Sequence, residues 1–163
     1  MKYRGTMVCA VVVAAAAVAP VGTAGADVLP PAVGMGCSQE LDGAMTLLPD
    51  QTSYVICQRA GMGLAWTPVQ TPFPPNDIWL SYGPAITLHG QGMRNPNLSA
   101  GEWTATPQDA DTACAVTQTD VVEAGVLARP QVSQGEQGKP LTVRMDTSLF
   151  YVELAGNCLW VKD

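Results

Sequence analysis

The chain carries one histidine, His89, and any acid–base chemistry near neutral pH would begin with it. Asp77 and Ser81 precede it in the same stretch, and the three residue types together are those of a hydrolytic triad. The usual nucleophile elbow, G-x-S-x-G, is missing, and Leu98-Ser99-Ala100-Gly101 is only a fragment of one. His89 sits in Leu88-His89-Gly90-Gln91-Gly92, where two glycines keep it near the surface. A polar histidine in a turn is therefore expected ahead of a catalytic base, with His89, Asp77 and Ser81 kept as the catalytic candidates.

A second set of groups is acidic. Asp109 and Asp111, with Gln108 and Thr112, place several oxygens in one loop, as a hard cation prefers. The glycine and late glutamate of an EF-type loop are missing, so a solvated turn is the first expectation and Asp109 and Asp111 are the metal candidates. A glycosidase pair would need two opposed carboxyls across a sugar cleft. Gly34-x-Gly36 and Gly61-x-Gly63 lack the third glycine and the Lys-Ser/Thr of nucleotide sites and read as turn glycines. No cofactor is expected. The remaining functional signal is aromatic: Trp66, Phe73, Trp79 and Tyr82 crowd the middle of the chain next to His89. Such rings fill the core of a small β protein first and form ligand surfaces second. This middle stretch is the one place where the sequence offers a binding surface.

The elements that position these groups lie in a chain of 163 residues, 47% hydrophobic and 13% charged, long enough for one domain. Met1 to Ala26 reads as a signal peptide, with Lys2 and Arg4 ahead of an apolar stretch and small residues at Thr23-Ala24-Gly25-Ala26. Pro20 and Gly22 end the apolar run short of a bilayer span. Cleavage after Ala26 removes two bases and no acid, which takes the net charge from −6 to −8. An acidic chain of this kind repels nucleic acid, and the mature part has no membrane span. The expected location is secreted or in the cell envelope.

Cys9 leaves with the signal, and Cys37, Cys57, Cys114 and Cys158 remain for an oxidising compartment. Their wide spacing does not suit zinc or a C-x-x-C redox pair. Of three connectivities, Cys37 with Cys57 and Cys114 with Cys158 is expected, because each pair brackets one compositional half.

The expected domain plan is a flexible leader over 27–36 and a single β-rich domain over 37–163. Its halves, 37–66 and 98–163, are joined by a Pro- and Trp-rich segment. Ser38 to Ala44 holds one helical turn with Ser38 as its cap. Ser53 to Gln58 and Leu64 to Thr67 form a hairpin, and Ile78 to Tyr82 and Ala85 to His89 form another about Gly83-Pro84. Thr67 to Asn76 is a stiff Pro-rich connector and Gln91 to Ala100 a loop. Glu102 to Thr106, Ala113 to Thr117, Val121 to Leu127, Leu141 to Met145 and Leu149 to Leu154 are strands, Leu141 to Met145 with period-two alternation. A turn at Ala155-Gly156-Asn157 would place Val152, Leu154, Cys158 and Trp160 on one face, with Trp160 against the disulfide. The whole is an all-β chain, a small antiparallel sandwich or barrel-like domain with two disulfides.

Gly101-Glu102-Trp103, Cys114, Gly138, Leu141-Thr142-Val143, Phe150 and Asn157-Cys158-Leu159-Trp160 resemble a small secreted actinobacterial module with a closing Cys-x-Trp. Ser81-Tyr82-Gly83-Pro84-Ala85, Leu88-His89-Gly90-Gln91-Gly92 and Gly101 to Asp109 are similar to exported mycobacterial proteins of unknown function. The resemblance implies export, a β-rich disulfide fold and an envelope or extracellular setting, and it brings no activity. One departure is that Ala115-Val116 follow Cys114 where the module often has an aromatic pair. The leading expectation is a non-enzymatic exported domain that binds an envelope or extracellular protein or glycan through the loops around Pro72 to Asn97. A secreted hydrolase using His89 with Asp77 or Ser81, and a purely structural envelope protein, are the alternatives.

Overall fold

The computed structural model describes residues 28–163; the signal peptide expected over 1–26, with Cys9, lies outside the described residues. The fold is mainly β, with ten strands and one 3-10 turn, Gln39–Leu41, among the described residues. In chain order the strands are β1 Met45–Leu47, β2 Tyr54–Ala60, β3 Gly63–Val69, β4 Ile78–His89, β5 Gly101–Pro107, β6 Ala115–Glu123, β7 Val126–Leu127, β8 Gln131–Gln134, β9 Leu141–Met145 and β10 Leu149–Lys162. Both disulfides have the expected partners, Cys37–Cys57 and Cys114–Cys158. Among the described residues no helix is long and apolar enough to cross a membrane.

The sheet runs β3-β2-β1-β4-β10-β5-β9, with β6 on β10 and β7 and β8 on β6. All pairings are antiparallel except β1 with β4. The ribbon of β4 and β10 is the backbone of the fold. Along one side β10 pairs with β4; along the other its first half pairs with β6 and its second half with β5. The sheet therefore branches at the middle of β10. The branch point is set by glycine: Gly156 of β10 faces Gly83 of β4, and the register shifts between Leu154 and Gly156.

Both glycines have positive φ, 88° at Gly156 and 125° at Gly83, conformations that side chains with a Cβ rarely adopt. A Cβ at Gly156 would also meet the Ala113 carbonyl oxygen at 2.7 Å. The two turns expected at Gly83-Pro84 and at Ala155-Gly156-Asn157 are thus corrected to facing irregularities within two long strands. Gly, Pro and Asn punctuate a bulge as readily as a hairpin, and only pairing distinguishes them. The face assignment survives the correction. Val152, Leu154, Cys158 and Trp160 are all buried because even-numbered residues of one continuous strand share a face.

Other differences are smaller. The expected strands at Ala113 to Thr117 and Val121 to Leu127 become β6 plus the two-residue β7, which turns back at Gly125. β1, Met45-Thr46-Leu47, is too short for its alternation to mark a strand and β8 is polar, so both emerge only through pairing with β2 and β6. Ser38 precedes the 3-10 turn with extended backbone, but its side chain makes no capping bond. In the leader region Gly34 donates its N–H to the Trp66 carbonyl, Trp66 donates to Met35, and Gly36 bridges to Ala65 at the edge of β3.

The main core takes Leu47 from β1, Trp79, Ile86 and Leu88 from β4, Trp103 from β5, Met145 from β9 and Trp160 from β10. The Cys114–Cys158 bridge lies within this cluster and Cys57 within a second one beside Trp66 and Leu80. Four buried aromatic donors find protein acceptors, as the interior demands. Trp79 Nε1–H donates to Asn76 O, Trp103 Nε1–H to Ser99 O, Trp160 Nε1–H to Ser81 Oγ, and the Tyr82 hydroxyl to Leu47 O.

Candidate functional site

The sequence candidates fall in three places. Asp77 and His89 flank the two ends of β4, and Ser81 lies between them, fully buried. Ser81 is buried inside the sheet while His89 lines a surface cleft that Ser81 does not reach, so the fold does not bring them together in one site. Ser81 Oγ accepts from Trp160 Nε1 at 3.0 Å and donates to Cys158 O, which makes it a packing group. The Asp77 carboxylate faces Lys162 Nζ at 3.8 Å.

The aromatic set divides. Trp79, Trp66 and Tyr82 are buried, at 0%, 3% and 4% exposure, and Trp66 and Tyr82 border a groove beneath residues 28–38. Phe73 and His89 meet in a separate cleft of about 300 Å³. Its walls come from the start of β2 (Tyr54), the connector (Thr71, Pro72, Phe73), the end of β4 (His89) and the following loop (Arg94, Asn95, Asn97).

Each wall is held by a local feature. Phe73 and Tyr54 meet edge to face at 5.0 Å, and both rest against the buried Trp79, at 6.3 and 6.1 Å. Trp79 thus sets the rings that border the cleft without itself reaching solvent. The loop after β4 starts by close approach to β10: Gly90 and Gly92 donate to Phe150 O and Leu149 O, and a Cβ at Gly90 would collide with the Leu149 backbone. Leu98, 1% exposed, plugs its far end into the core.

Two asparagines lock connector and loop together. Asn97 Oδ1 accepts the His89 N–H at 2.7 Å, and the Asn97 backbone N–H donates to His89 O at 2.8 Å. Asn97 O in turn accepts from Asn76 N at 2.9 Å, while Asn76 Nδ2 donates to Gly43 O and Ile78 O. Partial burial pushes the Tyr54 phenol pKa up, with the nearby Asn97 side chain pulling the other way. The phenol stays protonated and able to donate.

Tyr54, Arg94, Asn95 and Asn97 were not singled out by sequence reasoning. Tyr54 looks like any strand aromatic, and the one distinguishing sign of the loop was a cation, Arg94, beside two asparagines in an acidic chain.

Asp109 and Asp111 lie apart from the cleft, by a shallow 740 Å³ depression lined also by Gly83 and Gly156 at the middle of the ribbon. Asp109 accepts from Asn157 Nδ2 and the Thr112 hydroxyl through Oδ2, and from Asp111 N through Oδ1. These bonds, Asn157 first, hold its carboxyl below the usual range. Its oxygens are engaged in an internal turn, and among the described residues no three metal-ligating side chains converge.

No family model matches the chain, and no curated protein or solved structure shows significant similarity to it.

Proposed function

We propose that the chain is an exported, non-catalytic β domain that binds an envelope or extracellular partner through the cleft between Tyr54, Phe73, His89 and Arg94. The observation that carries this reading is the cleft itself. It joins aromatic edges to a guanidinium, an imidazole and amides on a scaffold already locked by Asn76 and Asn97. A preorganised mixed surface of this kind loses little entropy on binding. Its chemistry is that of recognition, because neither Ser81 nor Asp77 lines the cleft with His89: Ser81 is buried against Trp160, and the Asp77 carboxylate faces Lys162. Export is supported by the basic and apolar N-terminal segment and by the use of Cys37, Cys57, Cys114 and Cys158 in disulfides, which oxidising compartments favour.

The test is an array of defined glycans and peptides probed with the intact protein and with Phe73→Ala. The reading expects a small set of ligands retained by the wild type and lost by the variant. Ligands retained equally by both, or none retained at all, would leave the structural-protein alternative in possession.

A further inference from the structure

The charge of the cleft runs against that of the chain. The sequence has 14 Asp plus Glu and 8 Lys plus Arg, yet no carboxylate lines the cleft, which instead presents Arg94 and His89. Arg94 is also uncommitted. Among the described residues Lys139, Arg144 and Lys162 stand in ion pairs, whereas Arg59, Arg94 and Arg129 form none, and of these three Arg94 is the one that lines the cleft. A guanidinium left without an acid, in a protein with acids in excess, is available to a carboxylate brought by a ligand, and its planar fork fits one bidentately.

The remaining lining narrows the ligand further. Phe73 and Tyr54 offer apolar ring surface, while the Asn95 amide, the Thr71 hydroxyl and the Tyr54 phenol offer donors and acceptors around it. A flat group with one apolar face and a hydroxyl-studded rim matches that alternation better than an aliphatic or purely aromatic acid does. The volume of about 300 Å³ holds a single ring, and exposed Thr71, Pro72, Arg94 and Asn95 leave the mouth open for a chain to run on.

We propose that the cleft binds one carboxylated sugar ring, a hexuronic acid residue of a glycan, with its carboxylate on Arg94 and its C–H face on Phe73. This rests on the reading of the cleft as the binding surface. NMR titration of the intact disulfide-bonded protein with methyl glucuronide and methyl glucoside tests it, using wild type, Arg94→Gln and Phe73→Ala. Arg94 is exposed and outside the core, so Arg94→Gln keeps the fold.

The expected result is at least tenfold tighter binding of the glucuronide by the wild type, a difference erased in Arg94→Gln, and weaker binding of both sugars in Phe73→Ala. Equal binding of the two sugars by the wild type overturns the carboxylate assignment and leaves the binding-domain reading standing. No binding of either, or Arg94-dependent binding of benzoate in place of the glucuronide, overturns the sugar. The broader reading falls separately, when no array ligand depends on Phe73.

Discussion

Asn97 joins the fold to the cleft, and its removal gives a quantity that can be worked out beforehand. In Asn97→Ala the His89 N–H loses its acceptor, which now lies at 2.7 Å, in a place where Asn97 is only 6% exposed. An orphaned buried donor costs about 1–3 kcal/mol. Taking about 2 kcal/mol, the urea midpoint falls accordingly, and the melting temperature drops by roughly 6 °C to 8 °C for a domain of this size. Hydrogen exchange gives the local readout. The His89 amide, protected by that one acceptor, should exchange about 30-fold faster, the same 2 kcal/mol expressed as an opening equilibrium. Arg94→Gln, exposed and without a partner, serves as the control and should stay within about 0.5 kcal/mol of wild type. An Asn97→Ala protein as stable as the control, with an unchanged His89 amide, would refute the claim that Asn97 locks the loop.

Three more outcomes follow from the same structure. Ser81→Ala removes the acceptor of the buried Trp160 Nε1–H and should cost about 1–3 kcal/mol in urea unfolding; loss of a hydrolytic activity with stability unchanged would reverse that assignment. By loop entropy, replacing Cys114 and Cys158 by alanine should cost about 4 kcal/mol, and replacing Cys37 and Cys57 about 3 kcal/mol, so the first double variant should unfold at lower urea than the second. Asp50 has its pKa lowered to about 2 by hydrogen bonds from the Ser53 hydroxyl first and from the Thr52 and Ser53 N–H groups. A carboxyl depressed in the folded state adds stability above its unfolded value of 3.8 and loses it as pH falls through about 2. Asp50→Asn should therefore flatten the acid limb of the urea midpoint between about pH 4 and pH 2; an identical acid limb would contradict the turn geometry.

Much of the framework was legible because its signals are local. Cysteine parity and spacing led to both bridges, and the alternation of Leu141 to Met145 led to β9. The strand edges in β2 and β3 were marked by Gly61 and its neighbours. What was hidden depended on pairing between distant segments. Gly83 and Gly156 carry turn chemistry, but each lies opposite the other across β4 and β10, where the sheet needs a bulge and not a reversal. The polar β8 becomes a strand only because β6 offers it an edge.

The site was half visible for the same reason. Phe73 and His89 stood out by type, whereas Tyr54 arrives from β2 and Arg94 from a loop whose course is fixed by Gly90 against Leu149 and by Asn97 against His89. Trp79 and Tyr82 attract notice as ligand-binding residue types, and the fold uses their faces inside. Burial of an aromatic at one position and exposure at another depends on strand register, which composition does not carry.

The central claim is that recognition occurs at the Phe73–Arg94 cleft. Amide chemical-shift mapping of the isotope-labelled protein, titrated with the ligand that binds it best in the array, measures this directly. The account predicts that the largest changes fall on Tyr54, Phe73, His89, Asn95 and Asn97. Changes centred instead on Asp109, Thr112 and Gly156, in the depression beside the middle of the β4 and β10 ribbon, would contradict it.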